Sequence, residues 1–204
     1  MADRRREFDR HLGAIDVKVI ELFAVICEDL PAVTQALLSG SNEAGGQLAD
    51  RDRTSDALYQ EIEQLASREI LLQAPVAADL RFLRIAPELE RTHDLECQIA
   101  SRAGHLLAAE MSPRCRSLIE RMGELACDMW HQAADSWYQR NGSAAPVLAK
   151  ANDEMNELHT SLIAELASGQ MPSPVTIEMA LVARRQHHSP GELPGGSSHR
   201  LTRS

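Results

Sequence analysis

Two pairs of carboxylates set four residues apart carry the most specific chemistry in this chain: Asp52 with Asp56, and Glu90 with Asp94. On a helix, side chains at i and i+4 leave the same face about one turn apart, so each pair forms a small acidic edge. If the two helices lie side by side, four acids converge, and such a cluster is costly unless a cation neutralises it. An all-oxygen donor set is hard and suits iron, manganese, magnesium or calcium better than a thiolate-preferring metal. His93 adds an E-x-x-H step to Glu90, the spacing used by helical carboxylate-bridged di-iron proteins. That chemistry needs a second E-x-x-H and two further inward glutamates; the sequence holds no second copy, which leaves His93 as a surface neighbour of the acidic edge.

The elements that must position these groups are helices. From Glu7 to Leu38 the apolar residues Phe8, Leu12, Ile15, Val19, Leu22, Ile26, Leu30, Val33 and Leu37 step by three and four, with Pro31 expected to kink or briefly break the helix. A turn at Ser39-Gly40-Ser41-Asn42 leads to a second helix over about Gln47 to Leu72, carrying Asp52 and Asp56 opposite Leu58, Ile62 and Leu65. Pro75 marks the start of a third helix expected to run from Val76 to about Ala109, through Leu80, Leu83, Leu89 and Ile99, with a bend at Pro87. Ser112-Pro113 reads as an N-cap followed by proline at the first helical position. A fourth helix follows on Leu118, Met122, Leu125, Met129, Ala133 and Trp137, and Trp130 and Trp137 belong to its core or to a dimer face. A fifth runs from about Ala145 to Ala167, and a sixth starts near Val175 after Pro172-Ser173-Pro174.

Composition agrees with an all-α fold, since aromatic residues make up only 3% and alanine, leucine and glutamate dominate. A net charge of −9 and the absence of a basic stripe argue against nucleic-acid binding. No apolar run is long enough to insert in a membrane, no secretory signal follows Arg4-Arg5-Arg6, and the cysteines lack C-x-x-C spacing, so a cytoplasmic protein with reduced thiols is expected. No nucleophile with an adjacent base, glycine-rich phosphate loop or zinc-hydrolase spacing is present, which points away from an enzyme.

The two halves look like copies of one three-helix unit. Aligning the segment from Asp52 with that from Asn152 sets Leu58 over Leu158 and Ile62 over Leu162, and Ala74-Pro75-Val76 matches Ser173-Pro174-Val175. With Gln73-Ala74-Pro75-Val76-Ala77-Ala78-Asp79-Leu80-Arg81, with Glu90-Arg91-Thr92-His93-Asp94 and with the Asp52/Asp56 pair, the chain resembles the PhoU family of phosphate-signalling regulators over roughly Glu7 to Arg184. The resemblance implies two tandem three-helix bundles, residues 7–110 and 112–185. It also implies a multinuclear metal cluster held by Asp52, Asp56, Glu90 and Asp94, with iron first and manganese, magnesium or zinc as alternatives. By the same resemblance the chain is a cytoplasmic adaptor, a homodimer that negatively regulates phosphate uptake and phosphate-starvation signalling. Its partners would be a sensor histidine kinase and the ATPase subunit of a phosphate ABC transporter. Arg81, Arg84 and Arg91 lie on the third helix near the acids and are expected to balance the acidic face, with partner docking as the alternative role. The competing class is a metal-free scaffolding bundle.

The second unit departs from the pattern. Asn152 and Asn156 replace the first acidic pair, and the matching third-helix motif is missing where Gln186 to Gly191 stands. Asp153 and Glu157 are also four apart but are expected to point away. Residues 186–204 are rich in Ser, Gly, Pro, His and Arg and are expected to be a disordered tail, a change abrupt enough to favour a shifted reading frame. Apolar side chains left uncovered in the second bundle, at about 1.5–3 kcal/mol each, would favour self-association.

Overall fold

The computed structural model describes the backbone of residues 2–41, 43–72, 82–103, 105–139, 144–169 and 171–186. Helix α1, Ala2–Ser39, is the axis on which the next four helices pack. Its stripe of Ile15, Val19, Leu22, Phe23, Ile26, Leu30, Val33 and Leu37 is buried almost completely, as the three-and-four spacing requires. Pro31 lies inside the helix on an exposed position and does not break it: α1 continues to Ser39. The expected turn follows, with Gly40 at φ 73° and its N–H donating to the Ala36 carbonyl at 2.8 Å, a left-handed cap that glycine adopts without cost.

Helices α2, Glu43–Leu72, and α3, Phe82–Ala100, pack on α1 and on each other, forming the first three-helix bundle. Residues 73–81, where the sequence placed the start of the third helix, lie outside the described residues. Helix α3 ends at Ala100 rather than near Ala109. Its last turns tighten, with Arg102 N–H donating to the Ile99 carbonyl and Ala103 N–H to the Ala100 carbonyl, and a short separate helix α4, His105–Glu110, follows. Glycine at position 104, a poor helix former, stands between them. Leu83 also departs from expectation: it is exposed, and Phe82, Ile85, Ala86 and Leu89 form the buried face instead.

Helix α5, Pro113–Gln139, starts where the sequence placed it, with the Cys115 N–H donating to the Ser112 hydroxyl at 3.0 Å. It packs on α1 and on α6, Ala145–Ala167, and α7, Ser173–Gln186, packs on α6 to give the second bundle. The α1–α5 crossing is close, and Phe23 meets Trp130 and Trp137 there at ring-centroid distances of 6.1 and 6.4 Å; Trp130 is a core residue, and Trp137 is half-buried against the core. Both bundles share one continuous apolar core. Residues 187–204 lie outside the described residues.

Candidate functional site

The acidic pairs lie on helices α2 and α3. Asp56 and Asp94 are exposed and Glu90 is half-buried, while the side chain of Asp52 lies outside the described residues. The two helices pack side by side. Glu90 is turned toward α2: together with burial and with Glu63, which accepts a hydrogen bond from the Tyr59 hydroxyl at 3.1 Å, its charge raises the pKa of that phenol. Asp56 lies one turn before Tyr59 on the same helix.

The donor chemistry of this edge, carboxylate oxygens on a wet surface, fits a hard or borderline cation. Among the described residues, the side chains whose donor atoms come within 4.8 Å of one another are Asp29, His93 and Glu96. His93 is therefore not a surface neighbour of the acidic edge, as its spacing from Glu90 had implied, but is only 2% exposed.

Sequence reasoning missed this trio because it followed the acids on the polar faces. The available signal was on the apolar faces: Asp29 interrupts the run Ile26, Leu30, Val33, and His93 and Glu96 interrupt the run Leu89, Ile99. A polar residue on a core stripe is rarer than one on a solvated face. Of the arginines proposed for docking, Arg84 and Arg91 are exposed on α3 and Arg81 lies outside the described residues. In the second bundle, Asn152 and Asn156 are half-buried, whereas Asp153 and Glu157 are exposed.

Two three-helix bundles joined through the packing of α1 on α5 define a class of all-helical, two-bundle proteins. The PhoU domain matches residues 19–103. Two relatives, each named "Phosphate-specific transport system accessory protein PhoU homolog", come from Caulobacter vibrioides and Aquifex aeolicus. The first is 31% identical over 182 residues, covering 87% of this chain and 74% of the relative. The second is 30% identical over 168 residues, covering 80% and 76%. The chain belongs to the PhoU family. Its fold is similar to that of PhoU from Pseudomonas aeruginosa, with a TM-score of 0.79 at 19% identity over 89% of this chain and 90% of that one. The phosphate transport system regulatory protein PhoU from Streptococcus pneumoniae gives 0.74 at 19% identity over 89% and 88%.

Proposed function

We propose that the chain is a non-enzymatic regulatory adaptor of a phosphate-specific transport system. It acts in the cytoplasm as a negative regulator of phosphate uptake and of phosphate-starvation signalling. The observation that supports this most is the relationship itself, 31% identity carried across most of both chains to a phosphate transport accessory protein. Among the described residues no helix is long and apolar enough to cross a membrane. The partners, a sensor histidine kinase and a transporter ATPase subunit, would be met by helix-surface docking, and exposed Arg84 and Arg91 on α3 offer cationic contacts for acidic patches.

In this reading Asp52, Asp56, Glu90 and Asp94 hold a metal cluster, iron first, on the α2–α3 edge. Bound there, the metal would supply positive charge that fixes the two helices against each other and offsets the mutual repulsion of the acids.

The function is tested by expression in a bacterium lacking its own PhoU. Restored repression of alkaline phosphatase in high phosphate is the expected result, and phosphatase that stays constitutive despite soluble protein would overturn it. The metal edge is tested separately. Asp56→Asn combined with Asp94→Asn should remove iron or manganese from the purified protein, and equal iron and manganese content in wild type and double variant would remove the acidic edge as a metal site.

A further inference from the structure

Inside the junction of α1, α3 and α5 the core contains a small group of ionisable side chains. Asp29 comes from α1, and His93 and Glu96, one turn apart, come from α3. All three are 1–2% exposed. His93 Nδ1 lies 3.7 Å from Asp29 Oδ2 and 3.7 Å from Glu96 Oε2, beyond hydrogen-bonding reach of both. Neither carboxylate oxygen of Glu96 has a hydrogen-bond partner among the described residues. On the opposite side of the ring, His93 Nε2 is 3.6 Å from the Cys97 sulfur.

These distances describe a pocket for a positive charge. Two carboxylates taken out of water beside one another repel and lose hydration, a cost that a cation held between them would offset. The tautomer that donates Nε2–H to Cys97 turns the Nδ1 lone pair toward both acids, so three electron-rich atoms face one point. An outer partner on the second ring nitrogen is the usual arrangement for a metal-bound histidine. Donors about 2.1 Å from a metal ion stand about 3.0–3.4 Å apart, and contraction by a few tenths of an ångström would bring His93 Nδ1 to that separation from each carboxylate, all three donor atoms already lying within 4.8 Å of one another.

We propose that Asp29 Oδ2, His93 Nδ1 and Glu96 Oε2 form a buried three-ligand site for a single divalent first-row cation of the zinc class, clasping α1 to α3. One nitrogen and two oxygens suit an ion of intermediate softness such as Zn2+. The site is independent of the acidic edge: Glu96 points into the core, whereas Asp94 on the same helix is exposed. With so little surface, the ion enters as the chain folds and then exchanges slowly.

The full-length chain is unfolded, refolded with Zn2+, cleared of excess and assayed for metal. Wild type should keep one equivalent that is lost, with affinity falling on the order of a hundredfold, in Asp29→Asn and in Glu96→Gln, and that stays in the Asp56→Asn/Asp94→Asn variant. His187, His188 and His199 add the same background to every variant. Zinc retained equally by wild type and a folded Glu96→Gln would overturn the proposal, as would zinc lost only from the Asp56/Asp94 variant. A separate readout needs no core substitution. In 15N-histidine spectra of the wild-type chain, Zn2+ should shift the Nδ1 resonance of His93 among the eight histidines, and an unmoved resonance would overturn the site.

Discussion

Cys115 shows how one buried side chain ties an element to its surroundings. It is fully buried one turn into α5, directly behind the Ser112 cap, and Ser112 in turn donates its hydroxyl to Glu165 on α6 at 2.6 Å. Burial pushes the thiol up from 9.0 to about 11; the Glu165 charge adds to this and Arg116 opposes it. At pH 8 the thiolate population is then about one in a thousand rather than about one in ten, and only the thiolate attacks an alkylating reagent. Iodoacetamide at pH 8 should therefore modify Cys115 in the native chain at least about a hundredfold more slowly than in the urea-unfolded chain, read by peptide mass spectrometry. The sign for stability follows from the direction of the shift. A group that holds its proton more tightly when folded contributes stability that is complete below pH 9 and is lost as pH rises toward 11. Equal native and unfolded alkylation rates would show that the α5 start opens freely.

At the scale of elements, α1 and α5 approach closely at Gly123. A Cβ built on Gly123 would stand 2.5 Å from Thr34 Oγ1, 2.6 Å from its Cγ2 and 3.1 Å from its Cβ, and Thr34 is held in place by donating its hydroxyl to the Leu30 carbonyl at 2.9 Å. Gly123→Ala should thus cost about 1–3 kcal/mol, or roughly 2–4 °C of melting temperature per kcal/mol, despite improving helix propensity. Thr34→Ala in the same chain should recover most of the loss, and additive effects in the double-mutant cycle would contradict the close approach. That contact was illegible in the sequence, because a glycine within a helical stripe carries no record of what crosses it. What was legible was local: the stripe of α1, the Ser112-Pro113 start, the Gly40 turn and the four-residue spacing of the acids. The break after Ala100 was not, since Leu107 keeps the apolar period while the backbone tightens before it. Nor was the Asp29–His93–Glu96 group, because Asp29 is more than sixty positions from the other two and meets them only when α1 lies on α3.

For the whole molecule, α1 and α5 form a shared spine: α2 and α3 complete one bundle, α6 and α7 the other, and the core runs through both. The bundles are also stitched by polar contacts. Arg116 donates to the Leu38 carbonyl on α1 and the Ala108 carbonyl on α4, and Arg102, just past α3, pairs with Glu178 on α7. The second bundle nevertheless leaves large apolar side chains in water: Tyr138 is 74% exposed, Val147 52%, Ile163 40% and Ile177 61%. Ile177 faces outward on the last helix, whereas Val175 and Met179 occupy its buried face. Hydrophobic surface of this kind is covered most economically by a second copy of the same chain, since a two-fold contact uses each exposed patch twice. Light scattering across a concentration series should therefore report a species of twice 22.5 kDa that dissociates on dilution. Ile177→Lys should shift that equilibrium toward the monomer while leaving the helical circular dichroism unchanged, because its side chain supports no described core contact. A wild-type mass of 22.5 kDa at every concentration would instead show that these side chains stay hydrated, with the shared α1–α5 core alone sufficient to hold the two bundles together.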